Sequence, residues 1–264
     1  MTEPALDIAI SVRNLTCAYG PRVIVRDIGF DVRRGEIFVI LGGSGCGKST
    51  VLKHLIGLYR PASGSIAYAF PDLGGTLRMD RGDGADREAI LRRIGVMYQG
   101  GALFGSMTLL ENVRLPLEEF TDLPPAARDF VARMKLSLVG LEDFSGHMPS
   151  ELSGGMQKRA AIARAMALDP EVLFLDEPSA GLDPITSAGL DELIRSLSRS
   201  LGVTFVVVSH ELPSIFSIAD TVIMLDKKTQ GIVAQGDPRE LRDSSDNPLV
   251  RQFFLREAAG AEVT

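Results

Sequence analysis

Glu36-Ile37-Phe38-Val39-Ile40-Leu41-Gly42-Gly43-Ser44-Gly45-Cys46-Gly47-Lys48-Ser49-Thr50 is the stretch that decides the fold. Its first six residues form a short apolar run of strand length. A glycine-rich turn then leads straight into helical apolar spacing over residues 48–58. Strand, loop and helix in that order place the free backbone N–H groups of a helix start around a bound phosphate. Residues 42–50 fit the pattern in which glycines let backbone approach an anion, Lys48 reaches the outer phosphate oxygens and Ser49 ligates Mg²⁺. A glycine-rich turn without a ligand is the alternative, and the flanking strand and helix count against it.

Upstream, residues 8–19 and 23–32 alternate apolar and polar side chains around Gly20-Pro21, which predicts antiparallel strands. Downstream, residues 68–84, with Gly74-Gly75 and Arg81-Gly82-Asp83-Gly84, are rich in turn formers and predict a surface hairpin or loop without chemistry. From 108 to 167 the apolar spacing is helical, with Pro124-Pro125 opening one helix and Ser153 placed as N-cap of another that runs to Ala167. Three parallel-type strands follow, residues 172–176, 204–209 and 221–225, separated by helical stretches such as 186–201. This predicts an α/β fold: a P-loop NTPase core with an N-terminal antiparallel β subdomain and an inserted helical subdomain at about 100–167. Residues 1–236 form the predicted domain, and 237–264 a C-terminal extension whose Leu249, Val250, Phe253 and Phe254 share one helix face.

Val172-Leu173-Phe174-Leu175-Asp176-Glu177 reads as a buried strand ending in two acids. Side-by-side carboxylates at such a place are costly without a cation or a reacting group. A magnesium site removes the difficulty, with Asp176 holding the ion and Glu177 polarising an attacking water as general base. Acids simply leaving a strand for solvent are the alternative. Leu152-Ser153-Gly154-Gly155-Met156-Gln157 starts a helix with a hydroxyl and two glycines, which is a good N-cap and also an open anion site.

Ser153-Gly154-Gly155, followed by the 172–177 strand and then His210, occurs in the order found in the ABC ATPase family, which the chain resembles over nearly its whole length. The resemblance implies that the Ser153 segment acts in trans, closing over ATP held by the P-loop of a second copy. It also implies that Tyr19 stacks on adenine, Gln99 lies near Mg²⁺, Asp183 is the D-loop aspartate and His210 the switch histidine. Tyr19 reads alternatively as a strand aromatic in the flap core, and His210 as a polar strand-end residue. His54 and His147 are read as structural. Met156 stands where glutamine is usual in this signature, with Gln157 one place later, which leaves the backbone and Ser153 contacts in place.

Finer features resemble the ATPases of Mce- or Mla-type lipid transporters: Gly100-Gly101-Ala102-Leu103-Phe104 after Gln99, then Glu111-Asn112-Val113, Leu115-Pro116-Leu117 and Met156-Gln157-Lys158-Arg159-Ala160. The tail from Asn247 to Phe254 resembles that group too, whose ATPases can use C-terminal extensions to contact the other protomer. The partners this implies are a second copy, integral membrane permease subunits and a periplasmic Mce-domain lipid-binding protein, at the cytoplasmic face of a bacterial inner membrane. An ATPase for a small polar solute is the rival reading. Leu103, Phe104 and Met107 form either a groove for a partner's helix or subdomain core.

Composition bounds these readings. With 264 residues, 45% of them hydrophobic and 23% charged, the chain is an ordinary globular one. A formal net charge of −6 argues against a nucleic-acid partner. Cys17 and Cys46 suit neither a disulfide framework nor a zinc site. No secretory signal is read, and the longest apolar runs, 37–41 and 205–208, fall far short of the roughly 20 residues a membrane helix needs.

Overall fold

The computed structural model describes residues 8–80 and 84–255. Arg81, Gly82, Asp83 and the tail beyond Leu255 lie outside them. Strands β1 (Ile8–Tyr19) and β2 (Arg22–Arg33) pair antiparallel about Gly20-Pro21. β3 (Ile37–Gly42) is buried along its whole length and runs through the glycine loop into α1 (Lys48–Leu55). That helix stops short of residue 58, where the Gly57 and Leu58 N–H groups turn back to the carbonyls of His54 and Lys53.

β4 (Ser63–Phe70) and β5 (Gly75–Arg78) make a hairpin, and α2 (Gly84–Leu91) and β6 (Ile94–Met97) follow. The reading of 68–84 as a surface hairpin or loop holds for the hairpin, but its first residues are not on the surface. Tyr68 and Phe70 are 0% and 2% exposed, and the Tyr68 hydroxyl donates to the Leu55 carbonyl at 2.9 Å. Ile66, Tyr68 and Phe70 belong to the buried face of a strand paired with β1, and Gly74-Gly75 lie at the hairpin's far end.

The helical block contains α3 (Leu109–Phe120), α4 (Pro125–Leu138) and α5 (Gly154–Ala165), interrupted by an irregular stretch over 139–153. Thr108 and Glu111 close a capping box at the head of α3, and the Ser153 hydroxyl accepts from the Met156 N–H at 3.3 Å to cap α5. Next come β7 (Val172–Asp176), α6 (Pro184–Leu201), β8 (Thr204–Val208), α7 (Leu212–Ile218) and β9 (Thr221–Asp226), then β10 (Gly231–Gly236), α8 (Pro238–Ser244) and α9 (Pro248–Leu255).

The strands form two sheets, an antiparallel one in the order β2-β1-β4-β5 and a larger one in the order β10-β9-β3-β8-β7-β6. In the larger sheet only β10 runs antiparallel, on an edge. Period-two alternation along β3 divides the core. Phe38 and Ile40 pack with the antiparallel sheet and α1, whereas Ile37, Val39 and Leu41 pack with the helices on the opposite face. The tail's apolar stripe packs on its own chain: Val250 and Phe254 are 0% and 5% exposed within that second cluster, and Phe254 lies 5.5 Å from the Phe216 ring.

Candidate functional site

The carboxyl ends of β3, β7 and β8 open side by side, the place where parallel α/β sheets bind ligands. A cavity of about 780 Å³ lies there, lined by Tyr19, Arg22, Ile24, Gly42, Gly43, Ser44, Gly45, Gly47, Lys48, Ser49, Thr50, Gln99, Glu177, His210 and Phe253. Gly47, at φ +108, precedes α1, and a Cβ there would meet Val25 Cγ2 at 2.5 Å. The residue is therefore confined to glycine by both strain and space. No side chain caps α1, so its first N–H groups and the positive end of its dipole face the cavity. Lys48 Nζ meanwhile donates to the Gly42 and Gly43 carbonyls at 2.9 and 3.3 Å, a folded-back pose from which it can swing to an anion. Cys46 is buried behind the loop and does not line the cavity.

Beneath the loop, the Ser49 hydroxyl donates to Asp176 Oδ1 at 3.2 Å. Burial pushes the Asp176 carboxyl above the ordinary range, against the Ser49 hydrogen bond, and the neighbouring Glu177 charge pushes it further. A buried acid of this kind is a place where a cation is welcome. A hydroxyl and a carboxylate form a hard, all-oxygen donor pair, which fits Mg²⁺ completed by substrate phosphates and water. Among the described residues no group of three or more His, Cys, Asp and Glu side chains is placed to hold a metal by itself.

The sign of the Asp176 shift carries a prediction. An acid whose folded pKa is raised lowers stability once pH climbs through that value, and asparagine mimics its neutral form. Asp176→Asn should therefore raise the melting temperature of the nucleotide-free protein at neutral pH by a few degrees, about 1 kcal/mol. The gain should vanish at a pH low enough to protonate the aspartate. A melting curve unchanged or lowered at neutral pH would contradict the electrostatic reading.

Glu177 follows β7 with φ +51, its N–H donating to the Val208 carbonyl at 2.9 Å. His210 Nδ1 sits 2.9 and 2.7 Å from its two carboxylate oxygens. The pair can orient and deprotonate a water in the cavity. Tyr19 is 39% exposed at the rim, its ring edge-on to Tyr59 at 5.2 Å and its hydroxyl 3.4 Å from Thr50 Oγ1, so it does not sit in the flap core.

Besides Cys46 and Asp176, which lie behind and beneath the loop, four expected site residues do not line this cavity. Ser153, Gly154 and Gly155 head α5, with Ser153 and Gly154 exposed, and Asp183 caps α6 by accepting from the Ile185 and Thr186 N–H groups at 3.1 Å. His54 is buried with Nδ1 2.8 Å from the Thr50 carbonyl oxygen, and His147 is exposed beside Phe144; neither lines the cavity. Leu103 packs against the core, while Phe104 is exposed and stacks under Arg164. Arg22, Ile24 and Phe253 line the cavity without having been expected there from sequence, where Phe253 is read only as part of an apolar helix face. The alternation of β2 gives away only that Ile24 is apolar, and nothing near Phe253 in sequence points to a site.

Comparisons with known proteins identify the family. Residues 25–180 match the ABC transporter family model. The intermembrane phospholipid transport system ATP-binding protein MlaF of Escherichia coli K12 is 42% identical, over 96% of this chain and 90% of its own. The probable ribonucleotide transport ATP-binding protein mkl of Mycobacterium leprae is 40% identical, over 94% of this chain and 69% of its own. Among solved structures, cbiO1 from Clostridium perfringens, part of an ABC transporter complex, superposes with a TM-score of 0.80 at 27% identity, covering 95% of this chain and 96% of its own. A dimeric post-hydrolysis state of the ATP-binding cassette MJ0796, bound to ADP and Pi, superposes with a TM-score of 0.74 at 29% identity, covering 86% of this chain and 98% of its own.

Proposed function

The chain belongs to the ABC transporter family as an ATP-binding and hydrolysing subunit, and on that premise we propose that two copies close over two Mg-ATP molecules to drive phospholipid transport by a membrane partner. The observation that carries the two-copy reading is the separation of parts within one chain. Ser153, Gly154 and Gly155, at the head of α5, do not line the chain's own cavity, and Ser153 and Gly154 are exposed. Each site is then completed from both sides: Lys48, Ser49, Asp176, Gln99 and Glu177 come from one copy, and Ser153 from the other. The solved dimeric cassette with ADP and Pi supports such an arrangement.

Within each site the P-loop N–H groups and Lys48 hold the β and γ oxygens, and Tyr19 stacks on the adenine. Ser49, Asp176 and Gln99 would hold Mg²⁺, which when bound neutralises charge on the phosphates. Glu177 takes a proton from the attacking water, and His210 keeps the Glu177 carboxylate turned toward the place where that water stands. Asp183 shapes the turn that enters the partner's side of the site. The ATPase unit of residues 1–236 carries all of these groups, with α8 and α9 supporting it from the same chain.

The phospholipid cargo rests on the 42% identity to MlaF. Such a subunit works at the cytoplasmic face of a bacterial inner membrane against permease subunits and a periplasmic Mce-domain protein. No described helix is long and apolar enough to cross a membrane. The relatives named for ribonucleotide transport, at 40% identity, favour a polar solute as the second reading. Affinity purification of the complex followed by mass spectrometry separates the two. Recovery of a permease with a Mce-domain protein and phospholipid is the expected result, and recovery of a ribonucleotide with a soluble-solute permease would replace it.

A further inference from the structure

Gln99, which lines the cavity, begins a short segment whose backbone carbonyls are bonded by side chains of α5. Lys158 Nζ donates to the Gln99 carbonyl. Six residues on, the Arg164 guanidinium donates to the Ala102 carbonyl at 2.7 Å and to the Gly101 carbonyl at 3.1 Å. Between them Ala161 packs so closely that a Cβ on Gly101 would touch its methyl group at 3.4 Å. Three of the four carbonyls from Gln99 to Ala102 are therefore held by two cations of one helix. The head of that helix is Ser153, about 7.5 Å along the axis from Lys158 at 1.5 Å per residue.

Lys158 is 8% exposed. Burial holds its pKa below the ordinary lysine value, and the charges of Asp176 and Glu177 act the other way, in favour of the ammonium. A buried ammonium cannot leave its acceptor without a heavy penalty. Any shift of the Gln99 peptide, such as a side chain drawn toward a bound nucleotide would cause, therefore moves α5 with it. α5 is a continuous hydrogen-bonded rod, so the displacement arrives at Ser153 undiminished.

We infer that Lys158 is a positioning residue that couples the two shared sites: it fixes Gln99, in the cavity of its own chain, to the helix that carries Ser153 into the cavity of the partner copy. The inference rests on the two-copy reading above. Nucleotide bound in one cavity then sets the anion site that completes the other. Arg164 acts as the second anchor of the same joint, and its ring contact with Phe104 carries the joint to the surface.

The test measures dimerisation and binding apart from turnover, in a Glu177→Gln background that holds ATP. Light scattering gives the ATP concentration at half-dimer. A fluorescent ATP analogue at subunit concentrations too low for dimers gives the affinity of the single cavity. With Lys158→Met added, the half-dimer concentration should rise at least about tenfold while single-cavity affinity stays within about twofold, and Lys158→Arg should restore most of the loss. An unchanged half-dimer concentration, an equal loss of single-cavity affinity, or no rescue by arginine would each overturn the inference. If melting curves show Lys158→Met unfolded, Arg164→Lys takes its place. It keeps the charge but loses the fork, with an expected shift of about threefold, and no shift there would equally overturn the inference. Failure of Glu177→Gln itself to dimerise would remove the two-copy reading, and this inference with it, before Lys158 is altered.

Discussion

Glu177→Gln should cut ATP hydrolysis by about 10²–10⁴-fold while ATP binding survives, leaving a stable ATP-bound dimer where the parent protein cycles. The size of the effect follows from how narrowly the carboxylate is held. Its residue sits at φ +51, a region costly for a non-glycine side chain, and is retained there by the N–H bond to Val208 and the His210 contact. Glutamine has the same shape and its amide oxygen can still accept from the His210 ring, so the geometry persists and only the proton acceptor is lost. Steady-state phosphate release with size-exclusion light scattering reads both halves of the prediction. Hydrolysis at the parent rate would remove Glu177 as the base.

Lys48→Ala is the second large effect. The ammonium is the one lysine or arginine head group within the P-loop, and a charge-assisted contact to phosphate contributes about 1.5–3 kcal/mol per hydrogen bond. Losing it should weaken ATP binding by about 10²-fold and turnover with it. The fold itself should not suffer. A cation at the first position of α1 opposes the helix dipole, and its present partners are two backbone carbonyls on a half-exposed loop. The melting temperature of the nucleotide-free variant should therefore equal or exceed that of the parent. Normal ATP affinity and turnover would contradict the role, and a loss of affinity accompanied by an equally large loss of stability would assign Lys48 to the fold instead.

These two residues were legible before any coordinates because their chemistry is written in contiguous sequence. The loop that bears Lys48 is nine residues whose glycine spacing dictates its backbone, and Glu177 ends an apolar run that has only one sensible burial. Cooperation between Lys48 and Asp176 was likewise readable, since Lys48 comes after one strand of the parallel sheet and Asp176 ends another. The four-residue strand β6 and the edge strand β10 were not. Ile94-Gly95-Val96-Met97 is too short for a period to show, and β10 is half-buried, so its apolar and polar positions are not sharply divided. In the 68–84 window the hairpin was legible but the burial of Tyr68 and Phe70 was not, because turn-forming residues at the hairpin end masked the buried strand that leads into it.

By itself, then, the sequence determined the phosphate loop, the acid pair after β7 and the capped head of α5, because each depends on hydrogen bonds and dihedral angles within a few neighbouring residues. The tertiary structure alone decided that Phe253 of α9 lines the same cavity as Tyr19, that His210 pairs with Glu177, and that Lys158 and Arg164 grip the segment from Gln99 to Ala102. Those contacts depend on strand order in a six-stranded sheet and on which helix face meets it. Long-range packing of that kind leaves only a buried cation or a half-buried ring in the sequence, with nothing to name its partner.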